Sequence, residues 1–143
     1  MISGLTFLRR RQDVDTNRMA VIGHSFGGSL TLLLAEHEPG LKAVVIFAPA
    51  GYSWDPSPRL RTRLISAVKN ITSPIMIIHA QNDYSVNPGY SLDSAMDHLN
   101  KPHILKIYPT FGKSASEGHN LIFLSIETWE TDVFKFLNES LQY

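Results

Sequence analysis

Apolar residues recur along this chain with two periods, one helical and one extended. Ile2, Leu5 and Leu8 follow helical spacing, Asp13 to Asn17 is turn chemistry, and Met19 to Ile22 is a short apolar run closed by Gly23. This reads as helix, turn and strand. Beyond Gly23-His24-Ser25-Phe26-Gly27-Gly28, the stretch Ser29 to His37 carries Leu30, Leu33 and Leu34 on one helical face, and Pro39-Gly40 stops it. Ala43 to Phe47 is apolar on both parities, as in a parallel strand covered on both faces. Ile75 to His79 and, less purely, His103 to Tyr108 read the same way. Leu60, Leu64, Ile65 and Val68 mark a helix, and Asn87 caps another with Pro88 in its first turn. Ile126, Trp129, Val133, Leu137 and Leu141 form one stripe of a long terminal helix that packs back on the sheet.

Four strands alternating with helices predict an α/β fold: a mostly parallel sheet of about four strands flanked by helices, with right-handed crossovers. Tyr52 to Ser73 is the longest interruption. A crossover helix with Arg59, Arg61 and Arg63 in water is a simpler account of it than a cap over a pocket. The 143 residues suit a single domain spanning 1–143. Hydrophobic residues make up 43% and charged residues 18%, which argues against disorder.

Thirteen basic residues balance thirteen acidic ones, so no basic surface is expected for nucleic acid or anionic lipid. With no cysteine, disulfides, thiolate metal sites and a thiol nucleophile drop out, and neither a metal nor a cofactor is expected. No apolar run approaches the ~18 residues of a membrane span, and Met1 opens no signal-peptide pattern; a cytoplasmic protein is the expectation.

Gly23-His24-Ser25-Phe26-Gly27 has the Gly-x-Ser-x-Gly form and sits between an apolar strand and a helix, where a nucleophile elbow needs it. So tight a turn strains the serine backbone, and the flanking glycines are expected to prevent collisions. Ser25 then stands clear of the carboxyl edge of the sheet. The backbone NH of Phe26, at the start of the helix, is the expected oxyanion donor. A serine hydroxyl needs a histidine base and an acid to hold that base in the useful tautomer. Asp83 lies in the loop after the strand Ile75 to His79, at the same edge as Ser25; Asp93 and Asp97 fall in the next helix and face away. Glu117 is the other acid to weigh, although it stands only two residues from His119. His119 follows the last strand in the Gly- and Ser-rich segment Gly112 to Gly118, read as a mobile loop. His79 and His103 read as packing residues, His37 and His98 as helix-surface residues, and His24 as a neighbour of the nucleophile.

Ser25 in Gly-His-Ser-Phe-Gly-Gly, Asp83 in His-Ala-Gln-Asn-Asp and His119 in Glu-Gly-His resemble the α/β-hydrolase superfamily, closest to its dienelactone hydrolase and prolyl-oligopeptidase-like branch. Val14 to Ile22 is similar to that branch too. The resemblance implies a reduced α/β-hydrolase fold. Members usually carry four strands ahead of the elbow, whereas eighteen residues precede Met19 here. The loop that supplies the family's second oxyanion NH is expected to go with those strands.

The expected function is a serine esterase on small-molecule esters, with Ser25, His119 and Asp83 as triad and Phe26 NH for the oxyanion. Tyr52, Trp54, Tyr84 and Phe111 are candidates to line an acyl pocket. A serine peptidase and a non-catalytic binding module are the alternatives. A strand Met19 to Ile22 left without its neighbour becomes an unguarded edge, which points to a homodimer joined there and at the N-terminal helix.

Overall fold

The structure, a computed structural model, describes residues 1–142. In chain order it contains α1 (Ile2–Arg9), β1 (Ala20–His24), α2 (Phe26–Ala35), β2 (Ala43–Phe47), α3 (Pro58–Ala67) with a 3₁₀ turn Val68–Asn70, β3 (Ile75–Ala80), α4 (Asn87–His98), β4 (His103–Tyr108), α5 (Ala115–His119), α6 (Leu121–Leu124) and α7 (Ile126–Leu141). The four strands form one parallel sheet in the order β1-β2-β3-β4, each pairing in register with the next. The fold is the α/β sheet that the alternation of apolar runs and helical stripes predicts.

Parity along the two central strands separates two cores. Val44, Ile46, Ile75 and Ile77 face α2, α3 and α4, packing with Leu32, Leu64, Leu92 and Met96. Ala43, Val45, Phe47, Met76 and Ile78 face the other way, against Val133 and Phe136 of α7 with Trp129 beside them. Both strands are buried along their whole length, which is why neither alternates in polarity. The outer strands β1 and β4 are only partly buried, and Ile22 is exposed on β1.

Several local readings shift. Helix α2 begins at Phe26 and buries Gly28, Thr31, Leu32, Leu34 and Ala35, so the expected face is rotated and Leu30 and Leu33 lie toward the surface. Helix α4 starts at Asn87 itself, and its amide donates to Ser85 Oγ at 3.3 Å; Asn87 is therefore not the cap. On α7, Ile126 is exposed and Phe136 takes the buried place beside Val133. Tyr52 to Ser73 contains a helix, α3, that packs Leu64 into the core, but two of its arginines are not left to water: Arg63 pairs with Glu36 at 2.5 Å, and Arg61 Nη1 donates to the Trp54 carbonyl at 2.8 Å. Ser57 Oγ caps α3 by accepting from Leu60 N at 3.3 Å, and Pro58 occupies its first turn.

Because all four strands run parallel, the loops that follow them emerge at one edge. Three residues at the starts of these loops adopt left-handed backbone, Ser25 at φ 55°, Ala48 at φ 47° and Ala50 at φ 56°. Non-glycine residues in that region are strained and are held by their surroundings. Here Ser25 N donates to Phe47 O at 2.8 Å and Ala48 N to Ile78 O at 2.7 Å, which ties the strained loops to neighbouring strands.

Candidate active site

Ser25 closes β1 and caps α2, so its side chain rises from the carboxyl edge while the helix amides behind it lack intrahelical acceptors. The elbow depends on Gly23, where a β-carbon would collide with Gly27 O and Thr31 Oγ1. Gly27 is different: a β-carbon there meets nothing within 4 Å, so only one of the two motif glycines answers a steric demand. Phe26 supplies the first amide of α2, and its ring is 74% exposed.

Ser25, Asp83 and His119 meet at this edge. Ser25 Oγ donates to His119 Nε2 at 2.8 Å, and His119 Nδ1 donates to Asp83 Oδ1 at 2.7 Å. The direction follows from the carboxylate, which can only accept and so fixes the proton on Nδ1. Burial pushes the Asp83 carboxyl up, but hydrogen bonds from His119 and His79 outweigh it and hold the group below the usual carboxylate range. A base, its orienting acid and a hydroxyl in this arrangement can transfer a proton from oxygen to nitrogen and stabilise the resulting imidazolium.

His119 does not sit in a mobile loop. Helix α5 carries it, and Ser114 and Glu117 form a capping box at its start: Ser114 Oγ accepts from Glu117 N at 3.2 Å, and Glu117 Oε2 accepts from Lys113 N at 2.9 Å and Ser114 Oγ at 2.7 Å. The Ser-x-x-Glu spacing was the signal for this helix. It also occupies Glu117, which takes no part in orienting His119. Asn82 ties the preceding loop down, donating from Nδ2 to Phe111 O at 2.7 Å and Ser114 O at 2.8 Å and accepting from Phe111 N at 2.9 Å.

Of the four expected pocket residues, Tyr52 and Tyr84 lie at the site. Tyr52 is 75% exposed and meets Tyr84 edge-to-face at 5.3 Å, while Tyr84, 45% exposed, lies 5.1 Å from the His119 ring. Trp54 is only 2% exposed and belongs to the core under α3, because the turn that begins at Ala50 directs it inward. Phe111 serves the site through its backbone, in the bonds with Asn82. A hollow of about 360 Å³ opens beside Ser25, bounded by Phe26, Leu30, Leu33, Ala50, Tyr52 and Leu60.

Two histidines read from the sequence as packing residues, and one glycine that drew no attention there, contact the Ser25, His119 and Asp83 group. His79 Nδ1 donates to Asp83 Oδ2 at 2.7 Å, His24 Nε2 donates to the His119 carbonyl at 2.8 Å, and Gly51 lets the chain lie against Asp83. A β-carbon at position 51 would stand 2.7 Å from Asp83 Oδ1. Desolvation holds the His24 imidazole below its ordinary range against the opposing bond to His119. At the opposite edge of the sheet, His103 Nε2 lies 3.1 Å from Asp93 and 3.7 Å from Asp97. Among the described residues this is the group whose ligand atoms, within 4.8 Å of one another, suit a metal ion; it takes no part in the Ser25 site. Asp93 and Asp97 face away from Ser25, as expected. No helix among the described residues is long and apolar enough to cross a membrane.

The model of the dienelactone hydrolase family matches residues 3–120. Cutinase 2 of Thermobifida cellulosilytica is 38% identical over 80 residues, which are 54% of this chain and 30% of the cutinase. Bis(hydroxyethyl) terephthalate hydrolase of Streptomyces coelicolor is 33% identical over 106 residues, 70% of this chain and 33% of that enzyme. The chain thus spans about a third of the length of these relatives. Among solved structures, an esterase of Pyrococcus furiosus superposes with a TM-score of 0.72 at 16% identity, over 99% of this chain and 60% of its own. Acylaminoacyl peptidase of Pyrococcus horikoshii superposes with a TM-score of 0.70 at 17% identity, over 94% and 25%. These likenesses make the sheet an α/β-hydrolase fold.

Proposed function

Since the chain belongs to the dienelactone hydrolase family, we propose that it is a serine hydrolase of carboxylic esters, acting on small acyl esters. The observation that carries this reading is the continuous relay from Ser25 Oγ through His119 to Asp83, at 2.8 and 2.7 Å. Ser25 Oγ attacks the ester carbonyl as its proton passes to His119 Nε2. The tetrahedral oxyanion forms against the Phe26 amide at the start of α2. Collapse breaks the acyl–oxygen bond, and the proton on His119 leaves with the alcohol. A water then gives its proton to the same nitrogen, attacks the acyl-enzyme and releases the acid, and Ser25 regains its hydrogen. Asp83 orients the ring and stabilises its charged form in both half-reactions.

Ester rather than peptide cleavage is favoured by the relatives, a cutinase and a terephthalate ester hydrolase. The hollow beside Ser25 supports the same reading, since Leu30, Leu33 and Leu60 suit an apolar acyl group and Tyr52 forms part of its wall. Reaction with a fluorophosphonate probe tests the proposal: labelling of Ser25 supports it, and an unreactive serine in folded protein sinks it.

The chain is also proposed to pair with a second copy along β1. That strand is an outer strand of the sheet, Ile22 is exposed on it, and an apolar hollow of about 370 Å³ lies nearby between α1 and α2, bounded by Ile2, Leu30 and Leu33.

A further inference from the structure

Asp83 is addressed by two imidazoles, and the relay uses only one of them. The second, His79, is the penultimate residue of β3, four residues before Asp83, and its side chain is fully buried. Its Nδ1 reaches Oδ2 of the carboxylate at 2.7 Å, while Oδ1 accepts from His119 Nδ1 and from the Tyr84 amide, each also at 2.7 Å. The three donors therefore divide the carboxylate, and among the described residues His79 supplies the bond to Oδ2. The other ring nitrogen, His79 Nε2, is buried with no hydrogen-bond partner among the described residues. The carboxylate can only accept, so the proton between them is held on His79 Nδ1 and donated to Asp83 Oδ2. Space for the ring comes from Gly89 of α4, where a β-carbon would lie 2.9 Å from His79 Cδ2.

We infer that His79 is a positioning residue: its hydrogen bond to Oδ2 fixes the rotation of the Asp83 carboxylate so that Oδ1 faces His119. This rests on the Ser25–His119–Asp83 reading and adds a second imidazole behind the acid. The titratable groups around the carboxylate are His79, His119 and Tyr84, with His24 more distant. Without the Oδ2 donor, an oxygen buried with its charge has no partner, and the carboxylate turns or draws harder on His119.

The test compares His79→Leu, which keeps an apolar filling but no donor, with His79→Asn, whose side-chain amide sits near the place of Nδ1. Labelling of the wild-type chain by a fluorophosphonate is measured first; its failure overturns the triad reading itself rather than the role of His79. With labelling established, His79→Leu is expected to lower kcat roughly tenfold or more with little change in KM, as expected when a reacting group is misplaced. Its acidic pH limb moves upward, because the charge on Asp83 concentrates on His119. His79→Asn restores most of kcat and the wild-type limb. Unchanged kcat and limb in His79→Leu would overturn the inference, and so would a folded His79→Asn as impaired as the leucine variant. If His79→Leu does not fold, Gly89→Ala, which crowds the ring without touching Asp83, takes its place: a displaced limb supports the role, and a wild-type limb refutes it.

Discussion

His24 Nε2 lies 2.8 Å from the carbonyl oxygen of His119, so the residue before Ser25 grips the backbone of the residue that faces it. The two rings also stand 5.0 Å apart. The contact joins β1 to α5 across ninety-five residues of sequence. It also has a pH signature. Desolvation lowers the folded-state pKa of His24 below the ordinary value near ~6.5. The stability linked to that shift is present in full above about pH 6.5 and is lost as pH falls from there toward the folded value, because the unfolded chain takes the proton first. His24→Gln keeps a donor and removes the titration. Its urea midpoint is expected to fall less than that of the wild type between pH 7.5 and pH 5.5, and equal losses would remove His24 from the account.

Ser25→Ala is expected to abolish ester hydrolysis and fluorophosphonate labelling without loss of stability, since the hydroxyl faces the open edge. Turnover of a chromogenic ester and a thermal melt check this. His119→Ala should be nearly as damaging, and the double variant no worse than either, because members of one relay act as a unit.

Asp83→Asn cannot hold His119 in the same tautomer, so kcat is expected to fall by roughly 10⁴. The wild-type carboxyl is held below its ordinary range by His119 and His79 against desolvation. Its contribution to stability is therefore present above about pH 3.9 and is lost as pH falls through the lowered value. Acid titration followed by circular dichroism should show the asparagine variant lacking part of that low-pH transition.

Tyr52 and Trp54 stand two residues apart and should respond in opposite ways. Tyr52→Ala is expected to raise KM for aryl or acyl esters while leaving the melting temperature near that of the wild type. Trp54→Ala empties a core position and should cost about 3–5 kcal/mol, measured by chemical denaturation.

Pairing through β1 predicts a dimer at micromolar concentration in sedimentation equilibrium, and Ile22→Lys, a charge on the exposed face of the outer strand, should shift it toward monomer. A folded wild-type monomer under those conditions would refute the pairing.

The elements were legible in the sequence because they are set locally. Ala43 to Phe47 is apolar on both parities whatever surrounds it, and Gly23 announces the elbow because no side chain fits between β1 and α2. The candidate triad could be read for the same reason: parallel strands send their loops to one edge, so strand order alone gathers Ser25, Asp83 and His119 there. Other features needed the tertiary fold. Nothing in the spacing of Tyr52 and Trp54 says which one the turn after Ala50 sends into the core. His79 reads as an apolar-strand residue until α4 walls off one side of its ring and Asp83 meets the other. Residues 24 and 119 bond only because the fold brings the end of α5 beside the end of β1. Local period and turn chemistry depend on neighbours in sequence, whereas burial and hydrogen-bond partners depend on neighbours in space, and those come from elements dozens of residues away.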